Sequence, residues 1–197
     1  MDPSKFTSTA FGTVQKRPGD RWGFHYFRPA PVPRSMNLSP RTVSMLSAAD
    51  AAIGQLQGLS QLVQDPELLV GPYLRREAVA SSRIEGTQAS LSDLLQAEAD
   101  TGTRRNDDVA EVERYLAATR HAHEVIRTLP ITQRLIMEVH GILLAGVRGT
   151  DKLPGELRRS PVWIGATHDN PDTATFVPPL PDDLPDALAD WEAFVNT

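Results

Sequence analysis

The chain has 197 residues, a formal net charge of -5 and a hydrophobic content of 40%, enough for one sizeable domain or two small domains packed together. Its acidic balance argues against general binding to nucleic acid or anionic lipid. The absence of cysteine excludes disulfide bonds and thiolate metal sites. The N-terminal residues lack the pattern of a signal peptide and no segment is apolar enough to cross a bilayer, so we expect a soluble, cytoplasmic protein.

Residues 1–37 are predicted to form an irregular arm, because three prolines alternate through its last part. Ser39 followed by Pro40 is typical of a helix start, since serine can cap free amides and proline has no amide to leave unpaired. Apolar residues then recur at helical spacing and predict a core-facing helix to about Gln64. They are Val43, Leu46, Ala49, Ile53, Leu56 and Val63.

A second helical region is expected to break at Gly71–Pro72. After this break a helix is predicted over residues 73–86, where Gly86 can end it because glycine accepts a left-handed backbone. Ser81 and Glu85 lie one turn apart on the same face of this helix. A hydroxyl, a carboxylate and a glycine stop in this order are a weak signal alone, since most such matches are ordinary helix ends.

Capping signals predict three more helices. Ser90 with Asp93 three residues later resembles a capping box, in which each side chain bonds the other residue's amide. Asp107 and Thr132 stand before further apolar periodic segments and can cap them. The predicted elements are a helix from Leu91 to about Ala99, a polar turn over 101–106, a long helix from Asp107 to about Thr128, and a helix after Thr132.

The amino-acid composition changes after Gly146, where the chain becomes rich in proline, glycine and aspartate. The runs 162–164 and 175–177 are typical of short strands and predict a hairpin that stands off a helical body. A last helix is predicted to begin near Asp183 or Pro185. The fold class that follows is mainly α with one β-hairpin.

The sequence contains no complete catalytic pattern of a known kind. None of the five histidines has metal-ligand spacing, and His121 and His123 lie on different faces of a helix. Phosphate-binding glycine loops and the Gly-x-Ser-x-Gly elbow are absent from the sequence. The sequence therefore predicts no complete catalytic set and no metal site.

Four short motifs occur in the order seen in Fic-domain proteins, and together they are far more specific than any one of them. They are Ser81–Gly86, Pro154–Arg158, Val162–Gly165 and Phe176–Pro179. From about Leu38 onward the chain resembles a Fic protein whose inhibitory helix precedes the Fic core. The resemblance implies a Fic-like helical bundle with one β-hairpin flap. Its parts would be an N-terminal arm (1–37), an N-terminal helical region (38–128) with the inhibitory helix (73–86), and the first part of the Fic core (129–197) with the flap at about 157–179.

The resemblance also implies an activity. Fic proteins transfer AMP from ATP to a hydroxyl of a target protein, and they use Mg2+, a histidine base and a glycine-rich loop. Such catalysis depends mainly on positioning the reactants and neutralising the phosphate charge. The signature that supplies the histidine and the loop, His-x-Phe-x-Asp/Glu-Gly-Asn-Gly-Arg, is absent from the 197 residues. We therefore expect an N-terminal piece of a longer enzyme or a truncated product, without catalytic residues and without productive binding of ATP or Mg2+.

Roles for individual residues follow from the resemblance. Glu85 would reach into the nucleotide pocket and pair with the signature arginine. It would thereby occupy the space of the ATP γ-phosphate and neutralise the positive charge that this phosphate needs. Ser81 would brace this contact, and Gly86 would let the chain leave the helix. The flap would hold a target segment in extended form by strand addition. The flap residues implied are Val162, Trp163, Ile164, Gly165, Phe176 and Val177.

Structural alternatives stay open for both elements. The motif at Ser81 could be an ordinary helix end, with Glu85 paired to a local cation such as Arg83. The flap could be a plain surface hairpin packed by Trp163 and Phe176, and these two aromatic residues are expected to be core anchors under either interpretation.

Three functional hypotheses follow. In the first, the chain is the regulatory and target-docking portion of a self-inhibited Fic protein adenylyltransferase that modifies a Ser, Thr or Tyr hydroxyl. In the second, it is a non-enzymatic, antitoxin-like partner that supplies the inhibitory helix in trans to another Fic core. In the third, it is a helical DNA-binding or scaffold module. The acidic charge disfavours the third. Coding sequence beyond Thr197 would separate the first two. Removal of AMP stays open as the reverse reaction, and exposed Leu188, Trp191 and Val195 would favour self-association.

Overall fold

The computed structural model of the chain describes residues 1–17, 23–100, 106–166 and 168–197. Within these residues the fold is mainly α, as predicted, with six α-helices and one two-stranded antiparallel sheet. The elements are β1 (Gly12–Lys16), β2 (His25–Pro29), α1 (Pro40–Ser60), α2 (Pro66–Ile84), α3 (Leu91–Ala99), α4 (Asp107–Val125), α5 (Gln133–Leu143) and α6 (Leu184–Val195). The predicted polar turn lies, apart from Asn106, outside the described residues.

The chain divides into two compact units. The helical unit consists of Ser35–Arg120 and Leu143–Arg148. The hairpin unit consists of Met1–Arg34, His121–Ile142 and Gly149–Thr197. Each unit contains its own hydrophobic cluster.

The cluster of the helical unit joins α2, α3 and α4. Leu94 of α3 and Val112 of α4 are fully buried, and Ala78 of α2 is buried against the same cluster. Burial of such side chains is the main stabilising contribution available to the unit. The buried members are Ala78, Val79, Ala89, Leu94, Val109, Val112 and Leu116.

Helix α1 begins at the predicted cap, since the Ser39 side chain accepts a hydrogen bond from the amide of Thr42. The prediction that this helix faces the core is wrong. Val43 is 50% exposed and Leu56 is 68% exposed, and α1 contains no buried residue. Helical spacing of apolar residues predicts a face, but it does not determine whether another element covers that face.

The predicted interruption at Gly71–Pro72 is also wrong, because α2 continues through both residues. Proline lacks the amide of the usual helix bond, and its ring crowds the preceding residue through that residue's Cβ. Gly71 has no Cβ, which relieves this crowding. The segment predicted as a helix over 73–86 is therefore the second half of α2, followed by a turn at Glu85 and Gly86.

The capping box of α3 is confirmed. The Ser90 hydroxyl accepts from the amide of Asp93 at 3.2 Å, and the Asp93 carboxylate accepts from the amide of Ser90 at 2.9 Å. The Ser90 hydroxyl and then its amide hold the pKa of Asp93 below its ordinary value. This contribution to stability is therefore present above the ordinary pKa and is lost as the pH falls through the lowered pKa.

Ser90→Ala is expected to lower the free energy of unfolding by about 1 kcal/mol, because it leaves the first amides of α3 without their cap. Urea denaturation followed by far-UV circular dichroism measures the loss. Gln96→Ala, at an exposed position of the same helix, is the matched control and should change stability by no more than about 0.5 kcal/mol. An equal loss in both variants would contradict the cap assignment.

The later helices follow their predicted caps closely. Asn106, one residue before the predicted cap, accepts from the amide of Asp108 at the start of α4. The Thr132 hydroxyl accepts from the amide of Leu135 at 3.2 Å, which confirms the start of α5. Helix α6 begins at Leu184, as predicted for the last helix.

The N-terminal arm is not irregular, in contrast to its prediction. Strands β1 and β2 pair antiparallel, with Val14 opposite Phe27 and Lys16 opposite His25. They pack on an aromatic cluster in which the rings of Phe6, Phe27 and Phe176 have centroids 5.8 to 6.1 Å apart. The prolines lie at the end of β2 and beyond it, where they need not donate a hydrogen bond within the sheet.

The predicted flap is a loop closed by one antiparallel bridge rather than a regular hairpin. Ile164 donates to the carbonyl of Phe176 at 2.8 Å, and the amide of Phe176 returns a bond of 3.1 Å. Val177 is fully buried and Phe176 packs against its cluster. Trp163 is 42% exposed, so the expectation that it is a core anchor is wrong. Its indole nitrogen donates instead to the carbonyl of Asp169.

Candidate regulatory site

Helix α2 ends in a Schellman motif centred on Gly86. The amide of Thr87 donates to the carbonyl of Ser82, and the amide of Gly86 donates to the carbonyl of Arg83, both at 3.1 Å. Gly86 has a φ of +94°, and a β-carbon there would meet no atom within 4 Å. Backbone conformation therefore requires glycine at this position, and steric space does not. The sequence motif predicted this stop.

An open cleft of about 430 Å³ lies beside this helix end, within the helical unit. Its walls come from the last turn of α2, from α4 and from the segment that follows α5. Glu85 and Glu111 bring negative charge to the cleft and Arg148 brings positive charge. The lining residues are Ser81, Ser82, Glu85, Thr87, Glu111, Tyr115, Leu143, Leu144, Val147 and Arg148.

Glu85 is the first residue after α2, and it is exposed. Among the described residues, no donor or cation lies within bonding distance of its carboxylate. Arg83, the local partner considered from the sequence, is exposed and does not form that pair. The carboxylate is thus presented to solvent at the edge of the cleft, from a backbone that the Schellman bonds hold in place.

Ser81 is half-buried, one turn before Glu85. Its hydroxyl lies 3.5 Å from the hydroxyl of Tyr115 on α4, at the outer limit of a hydrogen bond. This contact ties the last turn of α2 to α4. A direct bond from Ser81 to the Glu85 carboxylate is absent from the described part of the chain, so the bracing role implied by the resemblance stays a prediction.

Sequence reasoning missed three residues that hold the turn. The Thr87 hydroxyl donates to Oε2 of Glu111 at 2.7 Å. Arg148 donates from one nitrogen to the carbonyl of Glu85 at 3.1 Å and to the same Glu111 oxygen at 3.2 Å. Glu111 and Tyr115 lie one turn apart on α4, which places both over the end of α2. No local sequence signal marks Arg148, because its partners are distant in the chain.

The other three motifs come together in the hairpin unit. Arg158 donates to the carbonyl of Pro179, which links the second motif to the fourth. The bridge between Ile164 and Phe176 links the third motif to the fourth. Desolvation lowers the pKa of Arg158, whose Nε is buried without a partner in the described residues. The Ser81–Gly86 motif lies in the helical unit.

The implied flap residues differ in exposure. Val162, Trp163 and Ile164 are exposed, Ile164 most of all at 66%. Gly165 is also exposed, whereas Phe176 is half-buried and Val177 is fully buried. The loop therefore presents an apolar run on one side and is anchored in the aromatic cluster on the other.

Two histidines of the hairpin unit have structural partners. His140 Nδ1 accepts from the amide of Gly155 at 3.0 Å, and His121 lies 3.1 Å from the carboxylate of Glu138. Arg134, and then His121, hold the pKa of Glu138 below its ordinary value. Within the described ranges, no three His, Cys, Asp or Glu side chains are grouped closely enough to hold a metal ion.

None of the helices in the described part of the chain is both long and apolar enough to span a membrane. No curated protein matches the chain. Residues 43–124 match the family model of the Fic/DOC family N-terminal region. This range contains most of α1, all of α2 and α3, nearly all of α4, and the Schellman turn that presents Glu85. Residues 43–124 of the chain are therefore similar to the N-terminal region of the Fic/DOC family.

Proposed function

We propose that the chain is the regulatory and target-docking portion of a self-inhibited Fic protein adenylyltransferase. In this proposal Glu85 restrains the transfer of AMP from ATP to a Ser, Thr or Tyr hydroxyl of a target protein. The single observation that carries it is the exposed Glu85 carboxylate, which has no cation partner among the described residues and stands on a fixed helix end. The match of residues 43–124 to the Fic/DOC N-terminal family model supports the proposal.

The restraint is electrostatic and steric. A carboxylate that no cation of the described residues neutralises can pair with an arginine of the Fic signature and can repel the γ-phosphate of ATP. ATP bound against such a carboxylate would be held without the geometry that transfer requires. The fixed backbone matters because a mobile carboxylate would move away from the phosphate and restrain little.

The described residues of this chain do not assemble a site for Mg2+ or a triphosphate by themselves. Three potential metal ligands are grouped nowhere in the described residues. The cleft carries the carboxylates of Glu85 and Glu111, and its arginine, Arg148, is already bonded to Glu111. We therefore assign ATP, Mg2+ and the catalytic histidine to the polypeptide that carries the Fic signature, and we derive no chemical step within this chain.

The loop at 162–177 is proposed to dock the target. The exposed side chains of Val162, Trp163 and Ile164 offer apolar contacts, and an extended target segment could add to the backbone beside them. Anchoring by Phe176 and Val177 would keep this surface in place while the target binds. The docking role rests on the family resemblance and on this exposure pattern.

Glu85→Gln tests the proposal by removing the charge while keeping the shape of the side chain. Transfer of labelled AMP from ATP, measured on protein expressed from the complete reading frame, should rise about fivefold or more. Glu77→Gln is the matched control, because Glu77 is also exposed on α2 but lies two turns before Glu85 and does not line the cleft. Equal rates in the wild type and Glu85→Gln would reject a charge-based restraint.

A further inference from the structure

The residues on both sides of Gly86 are linked to one carboxylate, Thr87 through its hydroxyl and Glu85 through Arg148. Glu111 of α4 accepts at Oε2 from the Thr87 hydroxyl and from Arg148, at 2.7 and 3.2 Å. The same nitrogen of Arg148 also donates to the carbonyl of Glu85 at 3.1 Å. Glu85 is thus held through Arg148, and Thr87 is held directly.

This arrangement supplies hydrogen-bond partners to backbone groups that a helix end leaves unpaired. The carbonyl of Glu85 lies past the last turn of α2, where carbonyls have no partner within the helix. Arg148 supplies the partner with a charge-assisted bond. The Glu111 side chain is only 16% exposed and Thr87 is 2% exposed, so their bond is shielded from water. Asp108 adds a bond from the amide of Gln88 at 2.9 Å.

We propose that Arg148, Glu111 and Thr87 form a clamp that positions Glu85 for its inhibitory role. The regulatory part of this inference rests on the function proposed above. The three are positioning residues, since they fix the Glu85 backbone and leave its carboxylate exposed. Loss of the clamp makes the turn around Gly86 more mobile. The Glu85 carboxylate then occupies several positions and restrains AMP transfer less.

Amide hydrogen exchange of the 197-residue chain tests the clamp without any activity. In Arg148→Gln the amide of Thr87 should exchange about tenfold faster, because the Glu85 carbonyl loses its bond from a charged donor and its link to Glu111. Arg148→Lys should restore much of the protection, since an ammonium group can also donate to both oxygens. Unchanged exchange at Thr87 in Arg148→Gln would overturn the clamp.

Arg75→Gln is the matched control. Arg75 pairs with Glu98 at 3.0 Å and joins α2 to α3, well before the Schellman turn. Breaking this pair should leave the exchange of the Thr87 amide unchanged. Equal acceleration in Arg75→Gln and Arg148→Gln would show a general loosening of α2 and would overturn the positioning role.

Transfer assays on protein from the complete reading frame separate the clamp from the proposed function. Arg148→Gln should transfer AMP at a rate between those of the wild type and Glu85→Gly, and it should add nothing in a Glu85→Gly background. If Glu85→Gly raises transfer and Arg148→Gln does not, the clamp inference fails while the proposed function stands. If neither variant raises transfer, both fail.

Discussion

Leu94→Ala is expected to lower the free energy of unfolding of the helical unit by about 3 kcal/mol. Leu94 is fully buried in the middle of the cluster that joins α2, α3 and α4, where truncation removes apolar contacts and leaves a cavity. The surrounding helices are fixed by their caps and by the Schellman turn, which limits their collapse into the space. Urea denaturation followed by far-UV circular dichroism measures this loss.

Leu95→Ala provides the control for this prediction. Leu95 is the next residue of α3, and it is 48% exposed. Its truncation should cost about 1 kcal/mol or less, because water already contacts much of the side chain. Similar losses in the two variants would mean that the buried cluster of the helical unit is assigned to the wrong residues.

Local chemistry made several elements predictable. The capping box at Ser90 and Asp93 and the cap at Thr132 gave the starts of α3 and α5, because each cap is a contact within four residues. Gly86 gave the end of the α2 region for the same reason, since the left-handed conformation belongs to one residue. Elements that depend on such short contacts can be read from the chain directly.

Burial and pairing between distant segments were not predictable. The apolar spacing in α1 is helical, yet no described element covers that helix. The alternating prolines favoured an irregular arm, so the pairing of β1 with β2 was not predicted. In this pairing Val14 lies opposite Phe27. Among the described residues, the predicted flap keeps only the bridge between Ile164 and Phe176, because the aromatic cluster fixes its base and other carbonyls of the loop accept from Trp163 and from the amine of Met1.

The candidate site shows the same division. Ser81, Glu85 and Gly86 form a local pattern, and the structure places them together at one helix end, as the spacing predicts. Arg148 lies 63 residues from Glu85 and 37 residues from Glu111 in sequence, and no local spacing rule connects such positions. Only the packing of α4 and of the segment after α5 beside α2 brings them together.

Glu85→Gly is expected to raise AMP transfer by about tenfold or more, because it removes both the charge and the volume of the side chain. The gain should exceed that of Glu85→Gln, which removes the charge alone. Glu85 lies outside α2 and is exposed, so the substitution should leave the stability of the fold nearly unchanged. Transfer of labelled AMP from ATP, with the urea midpoint of the same samples, measures both effects.

The most direct test of the central claim is the initial rate of AMP transfer from ATP by the wild type and by Glu85→Gly, expressed from the complete reading frame and assayed side by side. The proposed restraint predicts a faster rate in the variant at an unchanged urea midpoint. An equal or slower rate in a stably folded variant would contradict the claim that Glu85 holds the enzyme inactive.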